Sequence, residues 1–281
     1  MAVSLATVQS SILTGFKASR EYQMPQGSRP SGRPIRVLVT GGGTIAPIDE
    51  VRQITNVSTG SFSAQLTEAF LGLGAEVWHV FSPNALQPLK RLAQFDLATL
   101  NPSAEFARLR ALHERWEREA DRLHLVPLPH GTVAEYAETV RFLLTNQQID
   151  AVLLAMAVSD YEPVPFMGKR PSDLQELNVT CFRTPKVIRS VRGWAPSVFL
   201  VGFKLLVGAE ESELIRVAQQ ACQVNEADLT VSNDLNTLRA GKHTVHVVDP
   251  AGSAQTIGPD PAPAAGLAAL ILKKLGPRSS V

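Results

Sequence analysis

Apolar residues fall along the chain in short, nearly continuous runs, separated by segments whose apolar positions recur every three or four residues. The runs "IRVLVT" (35–40), "AEVWHVF" (75–81), "RLHLVPL" (122–128), "IDAVLLAMA" (149–157), "SVFLVGF" (197–203), "DLTVSN" (228–233) and "HTVHVVD" (243–249) have the composition of strands. Between the first two, "FSAQLTEAFLGLG" sets Phe62, Leu66, Ala69, Phe70 and Leu73 on one helical face and ends at Gly74, as a C-terminal glycine does. "TPKVIRSVRGW" predicts a helix with Thr184 as N-cap and Pro185 in the first position. Strands without polar alternation, interleaved with helices, predict an α/β fold: a mostly parallel, Rossmann-like doubly wound sheet covered on both faces. Such a sheet takes its ligands beyond the carboxyl ends of its strands.

Two segments depart from a plain repeat of strand and helix. Residues 101–122 predict an inserted helix whose stripe of Leu109, Leu112, Trp116, Ala120 and Leu123 packs on the body. Residues 234–258 predict a β-rich excursion near the C-terminus. It carries His243 and His246, whose spacing on a strand points them to opposite faces, so they are read as structural and no metal ligands are assigned. Residues 1–34 are rich in Ser, Gly, Pro and Arg and predict a mobile tail, with a transit segment as the alternative; residues 35–281 form a single α/β domain.

Composition narrows the function. The 281 residues carry 27 basic and 26 acidic side chains, intermixed, so neither nucleic acid nor a membrane surface is expected as a partner. Cys181 and Cys222 are far apart in the chain and read as reduced thiols of a cytoplasmic protein.

The candidate chemistry begins in "VTGGGTIAPIDEVRQITNVSTG" (39–60). "GGGTIA" satisfies the glycine pattern of dinucleotide folds, which keeps an NAD(P)-dependent oxidoreductase as an alternative. That pattern needs a helix opening at its last glycine and an acidic residue ending the next strand; here Pro47 delays the helix until after Gly60, and the second strand ends in Phe81 and Ser82. The other reading is a cradle built from two loops. One is a nest of amides over Gly41, Gly42, Gly43 and Thr44; the other is Ser58, Thr59 and Gly60 at a helix N-terminus, where free amides favour an anion. Arg52 supplies a charged fork between them and Asn56 a neutral donor. The bland alternative has Asn56 and Ser58 capping a turn and the helix.

Together with "MAVSDYEPV", "GKRPSD", "TPKVI", "VGFKLLV" and "VSND", in that order, this stretch resembles phosphopantothenoylcysteine synthetase, the coenzyme A pathway ligase, in its stand-alone form. The resemblance runs from Ile35 to the last helix. It implies a ligase that joins 4'-phosphopantothenate to L-cysteine through an acyl-nucleotide, with CTP as co-substrate, ATP second, and Mg²⁺. It implies that Asn56 holds the intermediate and that Lys169 meets the triphosphate. It further implies that Ala155, Met156 and Asp160 line the nucleotide site, with Gly202 and Phe203 beside the base or ribose and Asn233 closing the pocket. A homodimer is implied too, with the segment after Asp234 supplying contacts. Lys186 and Lys204 read as ordinary surface cations. Ser63 stands where the family tends to have glycine, which leaves a non-catalytic nucleotide-binding homologue as a further alternative.

Overall fold

The computed structural model describes residues 33–173, 175–260 and 262–276. The elements are β1 (Arg36–Gly41), β2 (Ile45–Pro47), β3 (Gln53–Thr55), α1 (Ser61–Gly72), β4 (Glu76–Phe81), α2 (Pro102–Glu119), β5 (Leu123–Pro127), α3 (Val133–Asn146), β6 (Ala151–Leu154), β7 (Tyr161–Pro163), β8 (Cys181–Arg183), α4 (Val187–Trp194), β9 (Phe199–Leu206), α5 (Glu211–Asn225), β10 (Leu229–Asp234), α6 (Leu235–Arg239), β11 (Val245–Val248), β12 (Ala254–Ile257) and α7 (Pro263–Leu275). The main sheet has the order β12-β11-β10-β9-β6-β1-β4-β5. Pairing is parallel from β5 through β10 and antiparallel at β10–β11 and β11–β12. The chain winds outward in both directions from β1, so the crevice between β1 and β6 is the switch point at which such sheets hold ligands.

The alternation of side chains along each strand separates two cores. Val37 and Val39 of β1 face one side with Leu66, Phe70, Leu267 and Ile271. Leu38 faces the other with Tyr136, Leu143, Val191 and Leu200. Helices α1, α2 and α7 therefore cover one face and α3, α4 and α5 the other. The α/β, mostly parallel doubly wound architecture is the one expected.

Several local expectations need correction. In α1 the buried arc is Ser63, Ala64, Leu66, Thr67, Glu68, Phe70 and Leu71, while Leu73 is the exposed C-cap. Three polar residues enter that arc because each has a hydrogen-bonding partner: Ser63 the Gly60 carbonyl, Thr67 His79 and Glu68 the half-buried Arg91. Gly74 does end the helix, with φ 87 and its N–H on the Leu71 carbonyl. Helix α4 starts later than expected, with Lys186 at the N-cap and no side-chain cap; the Thr184 hydroxyl donates instead to the Ser159 carbonyl at 2.6 Å.

Helix α2 has its cap at Asn101, whose side chain accepts from the Ala104 amide, and it packs Leu112 and Trp116 on the body. The segment 234–258 opens with a helix, α6. Its hairpin β11–β12 extends the main sheet, and His243 precedes the strand that carries His246. Of the expected tail 1–34, residues 1–32 lie outside the described residues; Arg33 pairs with Asp150 at 2.8 Å.

Candidate active site

The first glycine turn leaves β1 at the switch point and is stitched to the chain that follows β6. Ala157 N–H donates to the Gly42 carbonyl at 2.8 Å, and Thr44 N–H donates back to the Ala157 carbonyl at 3.1 Å. The buried Thr44 hydroxyl accepts from Ser159 N–H at 2.8 Å, and the Thr44 carbonyl accepts from the Thr55 hydroxyl. Thr44 is thus a strut whose amide is already engaged, and the nest read over Gly41 to Thr44 ends at Gly43.

The second turn closes against the first. Gly60 is the N-cap of α1 with φ 70, and a β-carbon there would come within 3.1 Å of the Gly42 amide nitrogen. Gly42, with φ 90, has room for no side chain either: a β-carbon would sit 2.7 Å from that of Ala85. The helix therefore opens beside the turn after β1, with no side-chain cap and no acidic residue in its first turn. This juxtaposition excludes the simple cap role considered for Ser58. It also answers the redox alternative locally, since the glycine turn leads into the hairpin β2–β3 and not into a helix. Ser63, 3% exposed, donates its hydroxyl to the Gly60 carbonyl at 2.7 Å and fills the space a β-carbon on Gly41 would need.

Beyond the ends of β6 and β9 a cleft of about 670 Å³ opens between the sheet and helices α4 and α5. Asn56, Met156, Asp160, Gly202 and Phe203 line it, which brings together five of the expected residues from three distant stretches. Asn56 is exposed, and its amide donates to the Ala157 carbonyl at 3.2 Å. Asp160 pairs with the ammonium of Lys186, another lining residue. Gly202 forms buried floor over which Ile188 packs closely, since a β-carbon there would lie 3.1 Å from Ile188 Cδ1. The Phe203 ring sits edge-on to Phe62 of α1, its centroid 6.2 Å away, so its contact lies toward the opposite face of the sheet. Tyr136 lines the cleft wall beneath Thr40, its hydroxyl 3.3 Å from that of Thr40; burial first of all pushes its phenol well above the usual range.

Other expected residues lie around this cleft. Gly42, Gly43 and Thr44 stand behind Ala157, to which Gly43 forms a parallel bridge. Half-buried Ala155 adjoins Met156. Ser58 is half-buried; Thr59 is exposed, its carbonyl accepting from Leu86 N–H and its hydroxyl from Ser61 N–H. Asn233 stands opposite Leu205 near the end of β10, outside the cleft lining among the described residues. The fork of Arg52 is directed to Asp49 and to the Arg170 carbonyl. Lys169 is exposed on the loop beside the hairpin β2–β3, also outside the lining among the described residues.

The cations that do line the cleft are Lys186, Arg189 and Lys204. Two of them, Lys186 and Lys204, read in the sequence as ordinary surface cations. The signal was present in the spacing: Lys204 stands two residues after Gly202 on one strand and so shares its face, and Arg189 stands three after Lys186 at the start of α4. Only the position of β9 next to β6, opposite α4, makes those faces walls of one cleft.

The chain also matches the family model described as the DNA/pantothenate metabolism flavoprotein C-terminal domain over residues 33–108 and 131–275. It belongs to this family. It is 30% identical over 231 residues to phosphopantothenate–cysteine ligase 2 of Oryza sativa subsp. japonica, an alignment covering 74% of this chain and 71% of the relative. Identity is 30% over 213 residues to the coenzyme A biosynthesis bifunctional protein CoaBC of Thermococcus kodakarensis, with 76% of this chain but only 44% of that protein covered. Among solved structures, the DNA/pantothenate metabolism flavoprotein of Streptococcus pneumoniae superposes with a TM-score of 0.67 at 26% identity, covering 86% of this chain and 98% of that one. A Cab2 mutant, H337A, in complex with phosphopantothenate-cysteine shares the fold at a TM-score of 0.68 and 23% identity, with 86% and 85% covered. Among the described residues, no helix is long and apolar enough to cross a membrane.

Proposed function

We propose that the chain is a phosphopantothenate–cysteine ligase of coenzyme A biosynthesis, with CTP as the nucleotide and ATP as its competitor in the test below. The observation that carries this reading is the cleft beyond the ends of β6 and β9, beside the switch point, where Asn56, Asp160 and three cations stand around the Gly202 backbone. Membership of a family that includes named ligases supports it. The proposed reaction has two steps. A carboxylate oxygen of 4'-phosphopantothenate attacks the α-phosphorus of the nucleotide, forming a P–O bond and releasing pyrophosphate. The amine of L-cysteine then attacks the acyl carbon, the C–O bond to phosphate breaks, a proton leaves the nitrogen, and the nucleoside monophosphate departs.

The residues suit this chemistry. Phosphoryl transfer chiefly needs positioning and neutralisation of charge. Lys186, Arg189 and Lys204 supply positive charge around the cleft, and Lys169 adds to it from the neighbouring loop. The Asn56 amide can turn from the Ala157 carbonyl to donate to the intermediate, since it is exposed and holds a single long hydrogen bond at 3.2 Å. The uncapped start of α1, the touching turns at Gly42 and Gly60, and Ser58 and Thr59 offer an anion site for the acid substrate. Mg²⁺ would be carried mainly by the phosphate oxygens, with Asp160, the one carboxylate in the cleft lining among the described residues, holding it once released from Lys186; when bound it would offset the charge of the phosphates.

We propose a homodimer in the cytoplasm. The edge strand β12 and the exposed side chains Val164, Met167 and Phe182 offer surfaces for such an interface. The deciding experiment is pyrophosphate release measured with CTP and with ATP. Release is expected only when 4'-phosphopantothenate and Mg²⁺ are both present. Equal release without the acid substrate would remove the ligase reading, and tight binding of NADPH in its place would restore the redox alternative.

A further inference from the structure

The loop carrying Lys169 is anchored on both sides of that residue, and both anchors lie on the hairpin β2–β3. Before it, Phe166 N–H donates to the Ile48 carbonyl at 2.9 Å, Glu50 N–H donates to the Gly168 carbonyl at 3.2 Å, and Gly168 N–H donates to Glu50 Oε1 at 3.3 Å. After it, Arg170 N–H donates to Asp49 Oδ2 at 3.1 Å, and Arg52 Nη2 donates to the Arg170 carbonyl at 2.9 Å. The Arg170 guanidinium then folds back over the Phe166 ring at 5.0 Å.

Asp49 is the hub of this arrangement. Its side chain is 0% exposed. Oδ1 accepts from Val51 and Arg52 N–H and closes the hairpin turn. Oδ2 accepts from Arg52 Nε at 2.9 Å and Nη2 at 2.6 Å, besides the Arg170 amide. The Arg52 guanidinium beside it, more than any other group, holds this carboxyl well below the usual carboxylate range. One carboxylate therefore folds the hairpin through one oxygen and grips the neighbouring loop through the other. The outgoing strand of the same hairpin, β3, leads directly into Asn56.

We propose that Asp49 and Arg52 are positioning residues that clasp the Lys169 loop to the hairpin bearing Asn56, so that the lysine and the amide act on one substrate from a single strut. The proposal rests on the reading of Lys169 as a phosphate partner. It assigns Arg52 to the protein's own loop in place of the substrate. Asp49→Asn is the informative variant, because an amide oxygen can still close the turn while its NH₂ group faces the Arg52 fork and the Arg170 amide as a third donor without an acceptor.

Two measurements test the clasp. Trypsin can cut the Lys169–Arg170 bond but not Arg170–Pro171, so cleavage after Lys169 reports opening of the loop. Asp49→Asn is expected to speed this cleavage about tenfold at an unchanged melting temperature; an unchanged cleavage rate overturns the clasp. The second is a double-mutant cycle on pyrophosphate release. Asp49→Asn should lower kcat about tenfold in the wild-type background and less than about threefold beside Lys169→Ala, because the group it positions is then gone. The same loss in both backgrounds overturns a role through Lys169 and returns Arg52 to direct substrate binding. If Lys169→Ala alone leaves kcat untouched, the reading of Lys169 fails and the positioning role falls with it, while the cleavage rate still decides whether the loop is clasped. Arg52→Lys keeps the charge but loses the fork, and it carries both measurements should Asp49→Asn not fold.

Discussion

The two sides of the site are built on different terms. On the strand-end side, Thr40, Gly42 and Thr44 are joined to Met156, Ala157 and Ser159 by backbone and hydroxyl hydrogen bonds in a largely buried setting, and Thr44 is fully buried. On the hairpin side, β2–β3 and β7–β8 stand outside the main sheet, hold together through Asp49 and Arg52, and expose Val57, Val164, Met167 and Phe182. The first surface can hold a ligand group in one place at no cost in reordering. The second has less to hold it, because its strands are only three residues long and its exposed apolar side chains have little packing to lose. Rigid floor and looser rim together suit a reaction that must admit two substrates in turn and exclude water between them.

Substitution in the floor should have the largest effect. Gly42→Val forces a β-carbon toward Ser82 Oγ at 2.1 Å and the Ala85 β-carbon at 2.7 Å, at a φ of 90 that branched residues avoid. A loss of about 3 kcal/mol or more is expected, read as a collapse of the denaturation midpoint. A variant as stable as the parent would show that the floor yields as easily as the rim.

Next comes the junction of the two. Asn56→Asp should lower turnover by about 10² to 10³, because an ionised carboxylate cannot donate to an acyl-phosphate oxygen and repels it, while the melting temperature stays within about 2 °C. Asparagine and aspartate cap turns almost equally well, so a purely structural Asn56 predicts full activity for the variant.

Acid should act on the floor before the rim. Burial holds the imidazole of His79, on β4 beside Gly41, down to about 3 from an ordinary value of 6.5, with Nδ1 2.8 Å from the Thr67 hydroxyl. Between those values the unfolded chain binds a proton that the folded chain refuses. The neutral histidine is therefore compatible with the fold above pH 6.5, and stability falls as the pH drops from 6.5 toward 3, by up to about 1.4 kcal/mol per unit. Thermal midpoints of His79→Gln should fall less steeply over this window than those of the parent; parallel curves would mean that His79 contributes nothing to the acid response.

The smallest effect on folding belongs to the rim. Phe182→Ser, at a side chain 58% exposed, should change monomer stability by no more than about 0.5 kcal/mol, yet it should shift light scattering toward the monomer if the hairpins form the proposed interface. An unchanged mass would move the interface to β12.

How much of this was legible in the chain differs between the same two regions. The strands that form the floor announced themselves, because residues buried on both faces read as unbroken apolar runs, and the glycines at 42 and 60 marked backbone that a side chain cannot enter. The hairpins did not, since three-residue strands rich in Pro, Glu and Gln carry no period long enough to recognise. Asn56 and Asp160 were legible as site residues through the stretches "ITNVSTG" and "MAVSDYEPV" that carry the resemblance. Lys186 and Lys204 read as ordinary surface cations, because their spacing shows which face they share but not whether water or a ligand lies beyond it.

Local sterics and periodicity act within a few residues, and from them the chain by itself determined the alternation of strand and helix, the parallel sheet and the two glycine turns at its edge. Which polar groups remain free to meet a ligand depends on partners brought close only by folding. Thr44 lost its amide to Ala157, Ser63 turned its hydroxyl to Gly60, and the Asp49 that engages Arg52 also grips Arg170, 121 residues away. A hydrogen-bonding group has few partners to give, and only the tertiary structure decides where they go.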